Sequence, residues 1–244
     1  MIADDPPLPP MTASRQIVLV LAASWRATSG TLWRFTRTDL LGPWLPVALP
    51  VTVSLGRGGL AWGCGQEFMR AMEMPRKREG DGCSPAGVFP ITALFGAAPA
   101  SELFGTARLP YIWATPAMKC IDDPDSRHYN RIVDASQGVP DWRSCEDLRR
   151  QDGRYEFGAV VGYNGDPAVA GAGSCIFLHV REAPGVPTAG CTALPREDML
   201  DLIRWLDREQ APLLVQLPHA EYPRLRESWG LPQLADCGGA PVAS

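Results

Sequence analysis

Short apolar runs separated by turn-forming residues most constrain how this chain can fold. Glycine and proline each occur 24 times without a repeating period, and they punctuate apolar runs such as 16–23, 50–55 and 174–180. Runs of this length are typical of strands, and frequent turns are typical of loop-rich β or α+β proteins. Hydrophobic residues make up 45% of the chain, enough for a buried core. We therefore expect one globular α+β domain that is mostly β.

The first quarter of the chain predicts a β-hairpin. Residues 16–23 are rich in β-branched side chains, and we expect them to pair with residues 31–37. A signal peptide is the alternative for residues 15–27, but their apolar core is short and the preceding residues are acidic and proline-rich. Further strands are predicted at 50–55 and 59–62. No run reaches the roughly 18 apolar residues of a membrane-spanning helix, so no transmembrane segment is predicted.

Residues 195–209 contain the strongest helical pattern in the chain. Pro195 suits the first helical position, and apolar residues recur at i, i+3, i+4 and i+7 from Met199. A shorter helix is predicted over residues 141–150. Further strands are predicted at 154–164, 174–180 and 211–217.

No stretch of the sequence reads as a linker between domains. We expect residues 1–14 to form a flexible N-terminal tail and residues 15–217 to form the single folded domain. Residues 218–244 are predicted to be an irregular C-terminal extension.

Charge and cysteine content limit the possible functions. The net charge is −4, and basic residues are scattered apart from a short run at 75–79, which argues against nucleic-acid binding. The seven cysteines form no C-x-x-C pair and no cluster with zinc-ligand spacing, so no structural zinc site is expected. Because seven is odd, at least one thiol stays free if the others pair, and a cysteine taken alone is more often a plain buried residue.

The segment "GSCIFLHVREAPGVPTAGCTAL", residues 173–194, contains the candidate catalytic pair. A cysteine nucleophile needs a lowered pKa, a nearby base and hydrogen-bond donors for an oxyanion. Gly190 lets the backbone turn sharply before Cys191 and leaves amide N–H groups exposed, and the helix predicted from residue 195 favours a thiolate. His179 precedes the turn, so the thiol and the imidazole can meet.

Two alternatives compete with this interpretation. A histidine in an apolar strand is more often a core residue whose polar groups are already bonded. Cys175 is a second candidate thiol, and strand alternation would place it on the same face as His179. Cys191 is preferred because Cys175 lies in an apolar run, where burial raises a thiol pKa.

Several sequence blocks together resemble one enzyme family. "GSCIFLHV" followed by "PTAGCTAL" is similar to the L,D-transpeptidase catalytic domain of the YkuD type. The blocks "DGCSPAGVFPI", "IDDPDSRHYNRIVD", "DWRSCEDLRR" and "YEFGAVVGYN" are similar to parts of a divergent branch of that family. The resemblance covers residues 16–217, nearly all of the predicted domain.

The resemblance implies a mixed β-sandwich and acyl transfer on the stem peptides of peptidoglycan, with roles in peptidoglycan biosynthesis, cell wall organisation and cell shape. Cys191 would be the nucleophile, His179 its base, and the N–H groups of Gly190 and Cys191 the oxyanion donors. It implies no metal and no cofactor. Stem peptides are the expected partners, and β-lactams of the carbapenem type are a candidate class of inhibitor.

The sequence also departs from the family pattern. Thr-Ala-Gly-Cys at 188–191 replaces the usual Ser/Thr-His-Gly-Cys, Ala193 replaces the usual Arg or Asn, and the gap from His179 to Cys191 is short. The divergent branch includes enzymes that cross-link through the first, L-configured stem residue, and that linkage is one possibility here.

Another group must then hold the substrate carboxylate, and Arg131 is the first candidate because arginine binds carboxylates in a bidentate way. Tyr129 and Asn130 are candidates to bind the amides of the stem, with Thr188 beside the nucleophile, and His128 is a second candidate imidazole. The alternative for each is a loop residue that bonds its own backbone.

Two other functions remain open: a cysteine carboxypeptidase or endopeptidase that uses water as the acyl acceptor, and an inactive peptidoglycan-binding domain. The presence of both His179 and Cys191 argues against the inactive domain. A papain-like protease is disfavoured because its cysteine precedes its histidine. The substrate implies the periplasm, although the sequence carries no clear signal peptide.

Overall fold

The computed structural model describes residues 10–64 and 75–234, and its main feature is a large mixed β-sheet with a small second sheet beside it. The strands are β1 (Gln16–Ala22), β2 (Ser29–Thr36), β3 (Leu45–Pro46), β4 (Val51–Ser54), β5 (Leu60–Trp62), β6 (Ser84–Gly96), β7 (Tyr111–Trp113), β8 (Met118–Ile121), β9 (Ile132–Asp134), β10 (Cys145–Asp147), β11 (Phe157–Val161), β12 (Phe177–Val180), β13 (Thr192–Leu194) and β14 (Leu213–Pro218). The α-helices are α1 (Ala100–Leu103), α2 (Arg196–Trp205) and α3 (Tyr222–Leu225).

The large sheet closes on itself. Its strands follow the order β1-β14-β6-β11-β12-β13-β4-β2, and β2 pairs back onto β1. Closure satisfies the backbone groups that an open sheet would leave unpaired at its two edges. Strand β3 extends the sheet beyond β2, while β5 and β7 flank β6. The expectation of a mostly β domain with a few short helices is confirmed.

The predicted hairpin at the start of the chain is confirmed. β1 and β2 are antiparallel, with Gln16 opposite Thr36 and Ala22 opposite Gly30. Every residue of β1 is buried, because β1 also pairs in parallel with β14 on its other side. This two-sided burial explains the unbroken apolar run that also resembled the core of a signal peptide.

Helix α2 covers the core with the apolar stripe that its sequence predicted. The four stripe residues are all buried: Met199, Leu202, Ile203 and Leu206. Burying each such side chain contributes on the order of 1.5–3 kcal/mol. The helix is shorter than predicted, since Pro195 is its N-cap and a separate 3-10 turn follows at Arg208–Gln210. Within residues 10–64 and 75–234, no helix combines the length and the apolar character needed to span a bilayer.

The helix predicted over residues 141–150 is wrong. Cys145–Asp147 instead form β10, which pairs with β8 so that Glu146 lies opposite Cys120. Strand β9 pairs with the other side of β8 and completes the second sheet. The segment buries Leu148 alone, so a helix would have no apolar stripe to bury, whereas pairing with β8 satisfies its backbone.

Both predicted flanking segments contribute to the folded domain where the structure describes them. In the N-terminal segment, Pro10–Ala13 form a 3-10 helix and Met11 is buried, so the expected tail over 1–14 is corrected for residues 10–14. In the C-terminal segment, α3 leads to Trp229 and Leu231, which are buried in the main core. The remaining parts of both predictions, residues 1–9 and 235–244, lie outside the described residues.

Candidate active site

Two adjacent parallel strands bring His179 and Cys191 to one site. β12 and β13 pair in parallel with His179 opposite Ala193, and Cys191 directly precedes β13. Because side chains alternate along a strand, Cys191 and Ala193 project from the face that His179 also uses. Both candidate catalytic residues line one cavity of about 530 Å³. The predicted meeting of thiol and imidazole at one site is therefore supported by the register of the sheet.

The thiol of Cys191 is enclosed and protonated at rest. The residue is 7% exposed, its sulfur accepts the Phe177 N–H at 3.3 Å, and its S–H donates to the Cys175 carbonyl at 3.5 Å. Burial raises the pKa of the thiol to about 12, and the nearby Glu146 carboxyl acts in the same direction. The expectation that helix α2 favours a thiolate is wrong, because β13 separates Cys191 from the helix and desolvation dominates.

The imidazole of His179 is held in a form that can accept a proton. Its Nδ1 lies 2.8 Å from the Val180 carbonyl oxygen, which can only accept, so Nδ1 carries the hydrogen and Nε2 the lone pair. The residue is 5% exposed, and burial lowers its pKa to about 4. A neutral imidazole with a free lone pair is the form required of a general base.

The backbone before the nucleophile requires a glycine and is held by two hydroxyl groups. Gly190 has φ +149°, and a Cβ there would lie 3.0 Å from the Cys83 carbonyl oxygen. The hydroxyls of Thr188 and Ser84 donate to the Cys191 carbonyl at 2.6 and 3.0 Å. The Gly190 N–H donates to Thr188 Oγ1 at 3.1 Å, so this predicted oxyanion donor is already bonded at rest. Thr188 thus fixes the nucleophile loop, whereas we expected it to bind substrate.

The cavity wall carries both signs of charge. Its basic residues are Arg57, Lys77, Arg150 and Arg154. Lys77 pairs with Asp81 at 2.6 Å, and Arg154 pairs with Glu182 at 3.1 Å. Across the described part of the chain, the exposed Arg57 guanidinium has no ion-pair partner. Arg57 is therefore the basic residue of the cavity that can accept a carboxylate without breaking an existing pair.

Of the residues predicted to bind substrate, Tyr129, Asn130 and Arg131 lie in a different cavity, of about 290 Å³. The Tyr129 hydroxyl donates to Glu79 at 2.5 Å, and Arg131 pairs with Asp166 at 3.1 Å. Asn130 bonds the protein's own backbone, including the Cys175 N–H at 2.9 Å. These polar groups are bonded within the protein, as expected from the alternative of loop residues that satisfy their own hydrogen bonds.

The second predicted imidazole, His128, lines neither cavity. Its ring packs edge-on against Trp142 with 5.8 Å between centroids, and Arg127 Nε donates to its Nε2 at 3.2 Å. His179 is thus the histidine that lines the same cavity as Cys191.

Comparison with known families gives the family of the chain. A sequence model of the L,D-transpeptidase catalytic domain, YkuD, matches residues 29–215, more than half of the 244-residue chain. The chain belongs to this family. No curated protein and no solved structure gives a significant match. The part of the chain matched to the L,D-transpeptidase domain runs from β2 into β14 and includes both His179 and Cys191.

A disulfide in this L,D-transpeptidase domain removes the competing thiol. Cys120 on β8 is bonded to Cys175, which has φ +54° and lies outside β12. The alternation argument for Cys175 therefore does not apply, and its sulfur is not a free nucleophile. The disulfide also connects the second sheet to the chain that leads into β12. Cys145 is a free thiol that lines the same cavity as Cys191.

Two residues at the thiol escaped the sequence analysis. Tyr155 is buried beside Cys191 and packs edge-on against the His179 ring with 5.2 Å between centroids. Its hydroxyl is 2.5 Å from Glu146 Oε1, on β10 of the second sheet. Burial raises the pKa of both the Glu146 carboxyl and the Tyr155 hydroxyl. The sequence block "YEFGAVVGYN" contains Tyr155, but the contact with Glu146 depends on how the two sheets meet.

Proposed function

We propose that this protein is a peptidoglycan L,D-transpeptidase in which Cys191 carries the acyl group as a thioester. The observation that carries the proposal is the shared cavity of Cys191 and His179 on adjacent strands, inside the matched family domain. A thiol with a neutral imidazole on the same face is the arrangement needed for nucleophilic acyl transfer.

The reaction begins when His179 Nε2 accepts the Cys191 proton as the sulfur attacks a peptide carbonyl of a donor stem. The C–N bond then breaks, the thioester forms, and the leaving amine takes the proton from the imidazolium. The amine of a second stem attacks the thioester, gives up a proton through His179, and forms the cross-link while the thiol is regenerated. Atoms and charges balance, and no cofactor enters.

The resting protonation states support a coupled first step. Burial favours the neutral thiol and the neutral imidazole, so a separated thiolate–imidazolium pair is unfavourable before substrate arrives. Proton transfer therefore accompanies sulfur attack, and negative charge passes to the carbonyl oxygen. The Cys191 N–H is the proposed main oxyanion donor, because the Gly190 N–H must first leave Thr188 Oγ1.

We assign recognition of the substrate carboxylate to Arg57 in place of Arg131. Arg57 lines the Cys191 cavity and its guanidinium is exposed, whereas Arg131 lies in the other cavity against Asp166. Arginine offers two parallel N–H donors to a carboxylate. Ala193, at the position where the family usually has Arg or Asn, is too small to supply this contact.

Two variants of the function share the same thioester. Water as the acceptor gives a carboxypeptidase or endopeptidase, and an amine acceptor gives a cross-link, through either the third or the first residue of the stem. An inactive binding domain is disfavoured because the site holds both a free thiol and a neutral imidazole. We propose a periplasmic location, which the Cys120–Cys175 disulfide supports, because disulfides persist in oxidising compartments.

The test is mass spectrometry of purified muropeptides after incubation with the wild-type protein, Cys191→Ala and Cys145→Ala. We expect dimers with the wild type and with Cys145→Ala, which removes the other free thiol of the cavity, and none with Cys191→Ala. Fragmentation of the dimers identifies the donor residue. Trimmed monomers in place of dimers would show that the protein is a hydrolase and not a transpeptidase. Unchanged muropeptides with all three proteins would contradict both functions. Carbapenems provide a second probe, and we expect them to acylate Cys191.

A further inference from the structure

A chain of three polar groups reaches from the nucleophile to the second sheet. Tyr155 packs with Cys191 in one buried cluster and lines the same cavity, and its hydroxyl donates to Glu146 Oε1 at 2.5 Å. The Tyr155 ring is fixed by edge-on contacts with Phe95 and Phe177, at 5.4 and 5.7 Å between centroids. Because the ring is held in this way, its hydroxyl keeps its bond to Glu146 in the wall of the Cys191 cavity.

Neither Tyr155 nor Glu146 has a role in acyl transfer through His179, although both line the cavity that contains the reacting sulfur. The Glu146 side chain is 27% exposed, and Arg150 reaches its carboxyl only at 3.9 Å. Tyr155 is thus the closest polar partner that the structure gives to the Glu146 carboxyl. The arrangement connects an acid–base group to the nucleophile through one hydroxyl.

We infer that Tyr155 and Glu146 form a second route for the Cys191 proton, alongside His179; this inference rests on the proposed function of Cys191. The Cys191 S–H group turns from the Cys175 carbonyl to Tyr155. The S–H bond then breaks and its proton bonds the Tyr155 oxygen, while the Tyr155 proton moves to Glu146 Oε1. The products are a thiolate, an intact tyrosine and a protonated carboxyl. The reverse transfer returns the proton to sulfur when the acyl group is released.

The relay creates no additional charge, which makes this route favourable at a buried thiol. Transfer to His179 creates two charges from two neutral groups, whereas transfer to Glu146 moves one negative charge from oxygen to sulfur. In a poorly solvated cavity, moving a charge costs less than creating a pair. The Glu146 carboxylate also raises the pKa of the Cys191 thiol, and the relay removes that opposing charge in the same step.

Alkylation of Cys191 by iodoacetamide tests the relay without peptidoglycan. Trypsin releases residues 182–196, in which Cys191 is the sole cysteine, so its alkylation is followed apart from the other thiols. The informative variants are Tyr155→Phe, which keeps the packed ring, and Glu146→Gln, which keeps an oxygen acceptor for the hydroxyl. Tyr111→Phe is the matched control, because the Tyr111 hydroxyl bonds the Ala98 carbonyl and does not line the cavity.

We expect Tyr155→Phe and Glu146→Gln each to slow alkylation by at least about tenfold at neutral pH, as for loss of a general base. The double variant should be no slower than either single variant, because both residues act in one path. Adding Tyr155→Phe to His179→Ala should slow the reaction further, because the two routes are separate. Tyr111→Phe should leave the rate unchanged.

The pH profile separates proton transfer from a structural role. The Tyr155-dependent part of the rate should fall as acidification protonates Glu146, and Glu146→Gln should abolish that dependence. The ionisable groups facing Glu146 are Asp122, Arg150, Arg154, Tyr155 and Cys191. A wild-type rate in Glu146→Gln would overturn the relay even if Tyr155→Phe were slow, since Tyr155 would then be only a donor to sulfur. Alkylation of Cys191 could slow in both variants as expected while the wild-type protein leaves muropeptides unchanged. In that case the proposed function fails and the relay stands.

Discussion

Removing the Cys120–Cys175 disulfide should destabilise the domain and weaken its active site together. The bond joins residues separated by 55 positions and connects the second sheet to the strand that carries His179. In the chain-entropy model, a cross-link closing a loop of this size stabilises the fold by about 4 kcal/mol. For a domain of this size, that corresponds to a fall in Tm on the order of 8–16 °C.

The assay is urea unfolding of Cys120→Ser/Cys175→Ser beside the wild type, with Cys64→Ser as a control that removes a free thiol. The double variant should lose about 4 kcal/mol of unfolding free energy. It should also lose activity, because Cys175 supplies the carbonyl that accepts the Cys191 S–H. A loss no larger than that of the control would refute the claim that this bond anchors the second sheet.

Three further predictions concern individual residues. Gly190→Ala should abolish acyl transfer, because φ +149° and the Cys83 carbonyl 3.0 Å from a new Cβ force the nucleophile loop to move; turnover and circular dichroism together check this. Arg57→Gln should raise KM at least about tenfold with little change in kcat, measured on stem peptides with a free and an amidated carboxylate. His179 has a pKa of about 4 when folded, below the ordinary 6.5, so its contribution to stability is complete above pH 6.5 and is lost as the pH falls toward 4. Over that range the wild type should lose about 3 kcal/mol more unfolding free energy than His179→Gln.

The sequence predicted the elements whose signals are local. The stripe from Met199 in α2 and the apolar run of β1 follow from periodicity and length, and both are confirmed. The pair His179 and Cys191 was found because the two residues lie in one short segment. The segment 141–150 was misread as a helix because its pairing with β8 depends on residues more than twenty positions away.

The site residues that sequence analysis missed or misplaced depend on tertiary contacts. The sequence indicated no ion-pair partner for Arg131, but in the fold it pairs with Asp166 in a separate cavity. Glu146 and Tyr155 meet at the thiol only because the second sheet lies against the first. The raised pKa of Cys191 has the same origin, because desolvation is set by every side chain around the sulfur and not by the helix that follows in sequence.

The central claim is that Cys191 forms a thioester with a peptidoglycan stem. The most direct measurement is mass spectrometry of the protein after rapid acid quenching with a purified stem peptide, followed by mapping of the adduct to residues 182–196. The account predicts an acyl adduct on Cys191 that forms in the wild type, is slowed in His179→Ala and is absent in Cys191→Ala. An adduct on Cys145, or product formation that persists without Cys191, would contradict it.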